Sequence, residues 1–405
     1  MQDDLIYTHA TVFPALDESV IADGAVWVRD GRVAFVGPTS ALPQSSLGCR
    51  TVDASGKFIM PGMTETHAHL SFADVSPFGI GATSVEDATI VAVGNAKKML
   101  SAGFTSAVSF GSTYKIDIAL RAAIDSGRIP GPRLLAAGRD LGATASNVDS
   151  PGGLSQIADG PWALRKAVRE QRRDGVDVVK IFIDGELINR TNPPGELSFC
   201  DEEVFAVVEE AHRRKMRVAC HARSAAAVKQ AVRAGVDFIG HANYLDSEAV
   251  DLLQAARDRV FVGPAIAWEV QYLAQCESLG ISKETVRAQG YEREIEATVV
   301  SVEKMRAAGV KMVVGGDYGI SIAPHGTYAK DLAYFVDMFG MRPAEALICA
   351  TRNGGEAFAP DGCLGQLKEG AIADVVIVDG DPLTDIAVLQ DHDRLSVHKS
   401  ALGNP

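Results

Sequence analysis

The chain has 405 residues, 47% of them hydrophobic and 22% charged, with a formal net charge of −13. This suits a globular protein with one large domain and a satellite, and the acidic balance without any basic run argues against nucleic acid or membrane partners. Six scattered cysteines (Cys49, Cys200, Cys220, Cys276, Cys349, Cys363) form no C-x-x-C pair, as expected of reduced thiols in a cytoplasmic protein. The opening MQDDLIYTHATVF carries no long apolar run, so no secretory leader is expected, and no stretch predicts a membrane span.

Residues 5–37 read as short alternating strands, with AVWVRDGRVAFVG a hairpin turning at Asp30-Gly31. The same pattern returns in ADVVIVDGDP and LSVHK near the other end. Two all-β pieces too small to be stable alone predict one β-sandwich built from both chain ends. The expected division is 1–60 and 359–405 for that sandwich, with 61–358 between them. The middle region alternates strands and helices. Strand candidates fall near Ile59-Met60, Thr105–Phe110, Arg133–Ala137, Val178–Ile183, Val218–His221, Phe238–His241, Val260–Val262 and Met312–Val314. Helical periodicity separates most of them, as in DEEVFAVVEEAHRRK and SAAAVKQAVRAG, which predicts an α/β fold of the (β/α)8 TIM-barrel type. An open doubly wound sheet would call for a Gly-rich phosphate loop after the first strand, and there is none.

In such barrels the chemistry sits at the C-terminal ends of the strands. IMPGMTETHAHL places His67 and His69 two apart, on one side of extended backbone. Lys180 stands among apolar residues in VDVVKIFI, where a bare ammonium is costly. Either an acid such as Asp184 caps it or CO2 converts it to an anionic carbamate. His221 closes RVACHA and His241 closes FIGHA; one such histidine could be a core residue, but two on successive strands point to a shared role. Asp317 closes KMVVGGD, after Gly315-Gly316 that admit close backbone approach; an N-cap is the other reading.

The order HxH, Lys, His, His, Asp on strands one, four, five, six and eight resembles the amidohydrolase superfamily, in its imidazolonepropionase-like and metal-dependent dipeptidase subgroup. The resemblance covers nearly the whole chain, including PGMTETHAHL and the closing GQLKEGAIADVVIVDGDPL. It implies a hydrolase with two divalent cations, zinc first among candidates and cobalt, manganese or iron also compatible. His67, His69 and Asp317 would hold one cation, His221 and His241 the other, with carboxylated Lys180 bridging them. The cations would turn water into the attacking hydroxide, and Asp317 would be the catalytic proton shuttle. A homo-oligomer is also implied.

The loops after strands three and four, GRDLGATASNVDS and KIFIDGELINRTNPPGELSF, depart from the Thr-Gly-Gly-His-Gly-Asp and Ser-Gly-Gly patterns of the dipeptidases. With HARSAAAVK they look more like the branch that hydrolyses phenylurea and thiocarbamate (molinate) herbicides. The expected small-molecule substrate is therefore a compact, largely neutral amide, urea or carbamate cleaved at a C–N bond. Trp268 and Tyr272, spaced i, i+4 in AIAWEVQYLAQ, would cover an aryl group or simply pack on the barrel. His325, Tyr244 and Arg223 are further candidates for substrate contact, although for Arg223 a salt bridge to a neighbour is the favoured reading. A Xaa-Pro-type dipeptidase or N-acyl amino acid hydrolase is the alternative enzyme, and an inactive scaffold homologue the alternative of another class. His9, His212, His392 and His398 read as bystanders, and Cys220 as core.

Overall fold

The computed structural model describes residues 4–149, 153–189 and 192–405. The two ends of the chain meet in one seven-stranded sheet, ordered Leu395–His398, Val375–Val378, Phe58–Pro61, Leu5–Val12, Ile21–Arg29 and Arg32–Pro38, with Arg50–Asp53 also on Leu5–Val12. The hairpin forms where expected, Arg29 pairing with Arg32. Two stacked sheets were expected, but a single hydrogen-bonded sheet is found. Leu5–Val12 shares one edge between two neighbours, Arg50–Asp53 along its first half and Phe58–Pro61 along its second.

Phe58–Pro61 explains how this sheet attaches to the rest. Its side chains alternate between two cores. Phe58 and Met60 join Met63 and Phe104 in the large central core, whereas Ile59 packs with Tyr7, Val12 and Val375 in the sheet's own core. Ile59-Met60 therefore belongs to the end sheet, and the first strand of the α/β region is the next one along.

That region supplies eight principal strands: β1 (Met63–Ala68), β2 (Phe104–Ser109), β3 (Arg133–Leu135), β4 (Val178–Phe182), β5 (Arg217–Ser224), β6 (Phe238–Tyr244), β7 (Phe261–Gly263) and β8 (Lys311–Met312). β1–β3 form one parallel sheet; β4–β8, preceded by short strands Ser155–Ile157 and Asp140–Gly142, form a second. The fold is α/β, of the TIM-barrel type. Between the two sheets, Asp177 N (2.8 Å) and Val178 N (3.1 Å) donate to Ala136 O, and Thr66 N donates to Val314 O (3.1 Å).

Helices between the strands follow their sequence signals. Asp201–Arg213 begins at a capping box in which Glu203 accepts from the Cys200 amide, has Asp201, Glu202 and Glu203 in its first turn, and ends on His212 and Arg213. It buries Val204, Val207, Val208 and Ala211. Ala225–Ala234 is capped by Ser224, which accepts from Ala227 N, and stopped by left-handed Gly235. Among the described residues no helix is long and apolar enough to cross a membrane.

Candidate metal centre

β1 is fully buried although four of its six residues, Thr64, Glu65, Thr66 and His67, are polar. Thr66 Oγ1 donates to Val314 O (2.7 Å), and Glu65 Oε1 accepts from His67 N (3.1 Å). Burial, aided by Asp331, pushes Glu65 up to about 8, so it is a largely neutral acid beneath the site. His67 fits there because the strand-eight end comes unusually close: a Cβ on Gly315 would lie 2.8 Å from His67 Cβ. Close backbone approach, the reason read for the Gly315-Gly316 pair, thus holds at Gly315, whereas a Cβ on Gly316 would meet the Tyr318 ring.

His69 lies just past β1, its Nδ1 3.0 Å from Gly111 O. If Nδ1 donates there, Nε2 keeps its lone pair, the usual way an outer partner orients a ligating histidine. Asp317 Oδ1 is 3.1 Å from His69 Nε2 and 3.7 Å from His67 Nε2. His221 on β5 stacks on Phe182 with ring centroids 4.4 Å apart. His241 on β6 lies 4.3 Å from the His221 ring and 5.2 Å from the His67 ring. His241 (φ 82°) and Asp317 (φ 60°) both adopt the left-handed region, disfavoured for residues with a Cβ; such strain recurs at functional sites.

The charge states suit cation binding. Burial lowers the pKa of His67, His221 and His241 well below the ordinary value, leaving the imidazoles neutral, as ligands must be. Burial opposes ionisation of Asp317, but the groups that face it, His67, His69 and Lys180, outweigh that effect and lower its pKa. Lys180 on β4 is wholly buried, its Nζ 3.1 Å from Phe110 O and between the Phe110 and Phe182 rings. Burial lowers its pKa against the pull of Asp140 and Asp317.

Two groups of side chains place their donor atoms within 4.8 Å of one another: His67, His241 and Asp317, and Glu186, His221 and His241. His241 is thus common to both. Neither of its ring nitrogens, nor His67 Nδ1, has a hydrogen-bond partner, although all three are buried. An orphaned buried imidazole is costly in a protein interior, and a cation removes that cost. The donor set of imidazole nitrogen and carboxylate oxygen fits a divalent metal.

The centre opens into a cavity of about 760 Å3. His67, His69, Lys180, His221 and Asp317 line its floor, with Asp140 and Glu186 beside them. The walls are mainly apolar: Phe72, Phe78, Ile80, Val148, Leu154, Phe182, Ile188, Trp268 and Ile320. Among the described lining residues Lys180 is the only Lys or Arg. Asp140 and Glu186 are floor groups that the sequence reading did not single out. Asp140 Oδ1 is buried without a partner, and burial lifts its pKa to about 6 against Lys180.

A match to the amidohydrolase family runs over residues 58–396. The chain belongs to the amidohydrolase family. Ochratoxinase from Aspergillus niger is 29% identical over 93% of this chain and 81% of that protein. Its crystal structure superposes with a TM-score of 0.88 at 27% identity, covering 98% of this chain and 95% of that one. A Xaa-Pro dipeptidase with methionine bound in its active site gives 0.86 at 26% identity, over 99% of each chain. Molinate hydrolase shares the fold, with a TM-score of 0.80 at 21% identity over 98% of this chain and 94% of that one.

The other residues expected at substrate sort unevenly in this amidohydrolase. Trp268 reaches the cavity; Tyr272 stacks behind it at 5.3 Å, wholly buried, and turns to Tyr291 instead. Arg223 lies outside the lining, held by Glu269 (2.6 Å) and Glu294 (3.3 Å), so the salt-bridge reading of it applies. Tyr244 is bonded to Glu294 and is likewise absent from the wall. His325 is also outside: Nδ1 faces Tyr328 Oη at 2.7 Å and Nε2 faces Phe72 O at 3.1 Å, which engages both ring nitrogens in structure.

Proposed function

We propose that this amidohydrolase cleaves a C–N bond in a compact, largely neutral amide, urea or carbamate, one carrying an aryl group being the best fit. The observation that carries this reading is the cavity: a floor of candidate metal-ligand side chains under apolar and aromatic walls, with no Lys or Arg among the described lining residues, other than Lys180 on the floor, to clamp a substrate carboxylate. Its volume falls in the range that encloses a drug-sized molecule.

His67, His69 and Asp317 would hold one cation and His221 and His241 a second, within eight strands read as one closed barrel. Divalent cations supply Lewis acidity, making water nucleophilic near neutral pH and polarising a carbonyl oxygen. Lys180, deprived of solvent, has an uncharged amine fraction able to add CO2 with loss of a proton. The resulting carbamate would offer anionic oxygens to the centre. Asp317, ionised and facing the cavity, accepts a proton from the attacking water through a carboxylate oxygen and returns it to the leaving nitrogen. Trp268 and Phe72 exclude water around the substrate's apolar part.

The likeness to a Xaa-Pro dipeptidase favours a second reading, a substrate bearing a carboxylate. The comparison is between an acyl anilide and its analogue with a carboxylate beside the scissile bond. A substrate anion near Asp140 and Glu186 without a cationic partner should lose tenfold or more in kcat/KM, about 1.4 kcal/mol. A preference for the anionic analogue would select the dipeptidase reading instead.

A further inference from the structure

We propose that Glu186 is a ligand of the second cation, supplying a carboxylate to the site of His221 and His241. The inference rests on the metal-dependent reading above and adds a residue to it. Glu186 Oε1 lies 3.6 Å from His221 Nδ1, and one donor atom each from Glu186, His221 and His241 falls within 4.8 Å of the others. His241 is the independent witness: completely buried, with neither ring nitrogen partnered, it faces a place where a ligand is wanted.

The loop that carries Glu186 is built, not draped. Asp184 accepts hydrogen bonds from Arg223 N (2.9 Å), Ser224 N (3.0 Å) and Gly195 N (3.0 Å), which fastens the end of β4 to the strand bearing His221. Glu186 N donates to Asn192 O (3.1 Å). Gly185 makes that turn possible, since a Cβ there would lie 1.6 Å from Asn192 O. The carboxylate's ion pair with Arg223 is a loose one, without a hydrogen bond. Arg223 Nη2 stands 3.7 Å away and makes no hydrogen bond, while Nη1 is taken by Glu269. Arg223 therefore holds Glu186 in place and leaves its oxygens available to a cation. A carboxylate added to two imidazoles gives a donor set familiar for zinc and cobalt.

The test is titration of chelator-stripped protein with Co2+, reading bound cobalt per chain by elemental analysis and its visible spectrum. Wild type should take two equivalents. Glu186→Gln should keep the first with unchanged affinity and bind the second at least tenfold more weakly, with an altered spectrum. Glu186→Asp should recover part of that loss, and matching melting temperatures of the stripped proteins would exclude misfolding. Two equivalents at wild-type affinity and spectrum in Glu186→Gln would overturn the assignment, including the case where only KM rises because Glu186 touches substrate. If wild type binds no cobalt, the metal reading itself fails and this one with it.

Discussion

Asp317 has two demands on one carboxylate. It stands against His67 and His69 as a ligand would, and it faces the cavity as a proton carrier must. Asp317→Asn separates them, because the amide oxygen can still coordinate but cannot take a proton. We expect kcat to fall on the order of 10²–10⁴-fold with bound metal retained. Metal analysis and turnover on the same sample check this; near-normal turnover would end the shuttle role. His221, His241 and Asp317 drew notice in the sequence because each closed an apolar strand, His67 and His69 because of their H-x-H spacing. Asp140 and Glu186 did not, since an acid in a Gly-rich loop looks like any solvated acid until the fold buries it. For Arg223 the salt bridge could be read but not its partners, since Glu269 and Glu294 lie 46 and 71 residues further on.

Among the elements, β1 shows where periodicity fails. The apolar FIM of Phe58–Pro61 reads as a barrel strand and the polar MTETHA as its loop, yet the first pairs with Val375–Val378 and the second is β1. A strand buried on both faces with polar side chains directed at the site loses the alternation on which the reading relies. The joint between the two regions rests on another buried polar group. Arg133 on β3 bonds Asp374 through Nε (3.1 Å) and Nη2 (3.2 Å), and Asp374 Oδ1 also accepts from Ser400 N (2.8 Å). Both side chains are at most 2% exposed. Asp374→Ala leaves the buried guanidinium its bonds to the Ser400, Leu402 and Gly403 carbonyls but no counter-charge, and should cost about 3 kcal/mol. Denaturant unfolding measures it, and a loss below about 1 kcal/mol would mean that water reaches the pair.

For the whole molecule, hydrophobic periodicity carried the α/β class, and the recurrence of β patterns at both ends carried their pairing. It could not say that the ends make one sheet, because the sharing of Leu5–Val12 between two neighbours is a matter of tertiary geometry. Nor could it size the cavity, whose walls come from segments as far apart as Phe72 and Ile320. The floor and those walls lead to one claim, metal-dependent hydrolysis of a neutral C–N bond. The most direct measurement is release of aniline from a neutral aryl amide by protein stripped with chelator and then restored with zinc or cobalt. The account predicts no release from stripped protein and recovery as metal returns. Release that persists without metal, or none at any metal loading across anilides, ureas and carbamates, would contradict it.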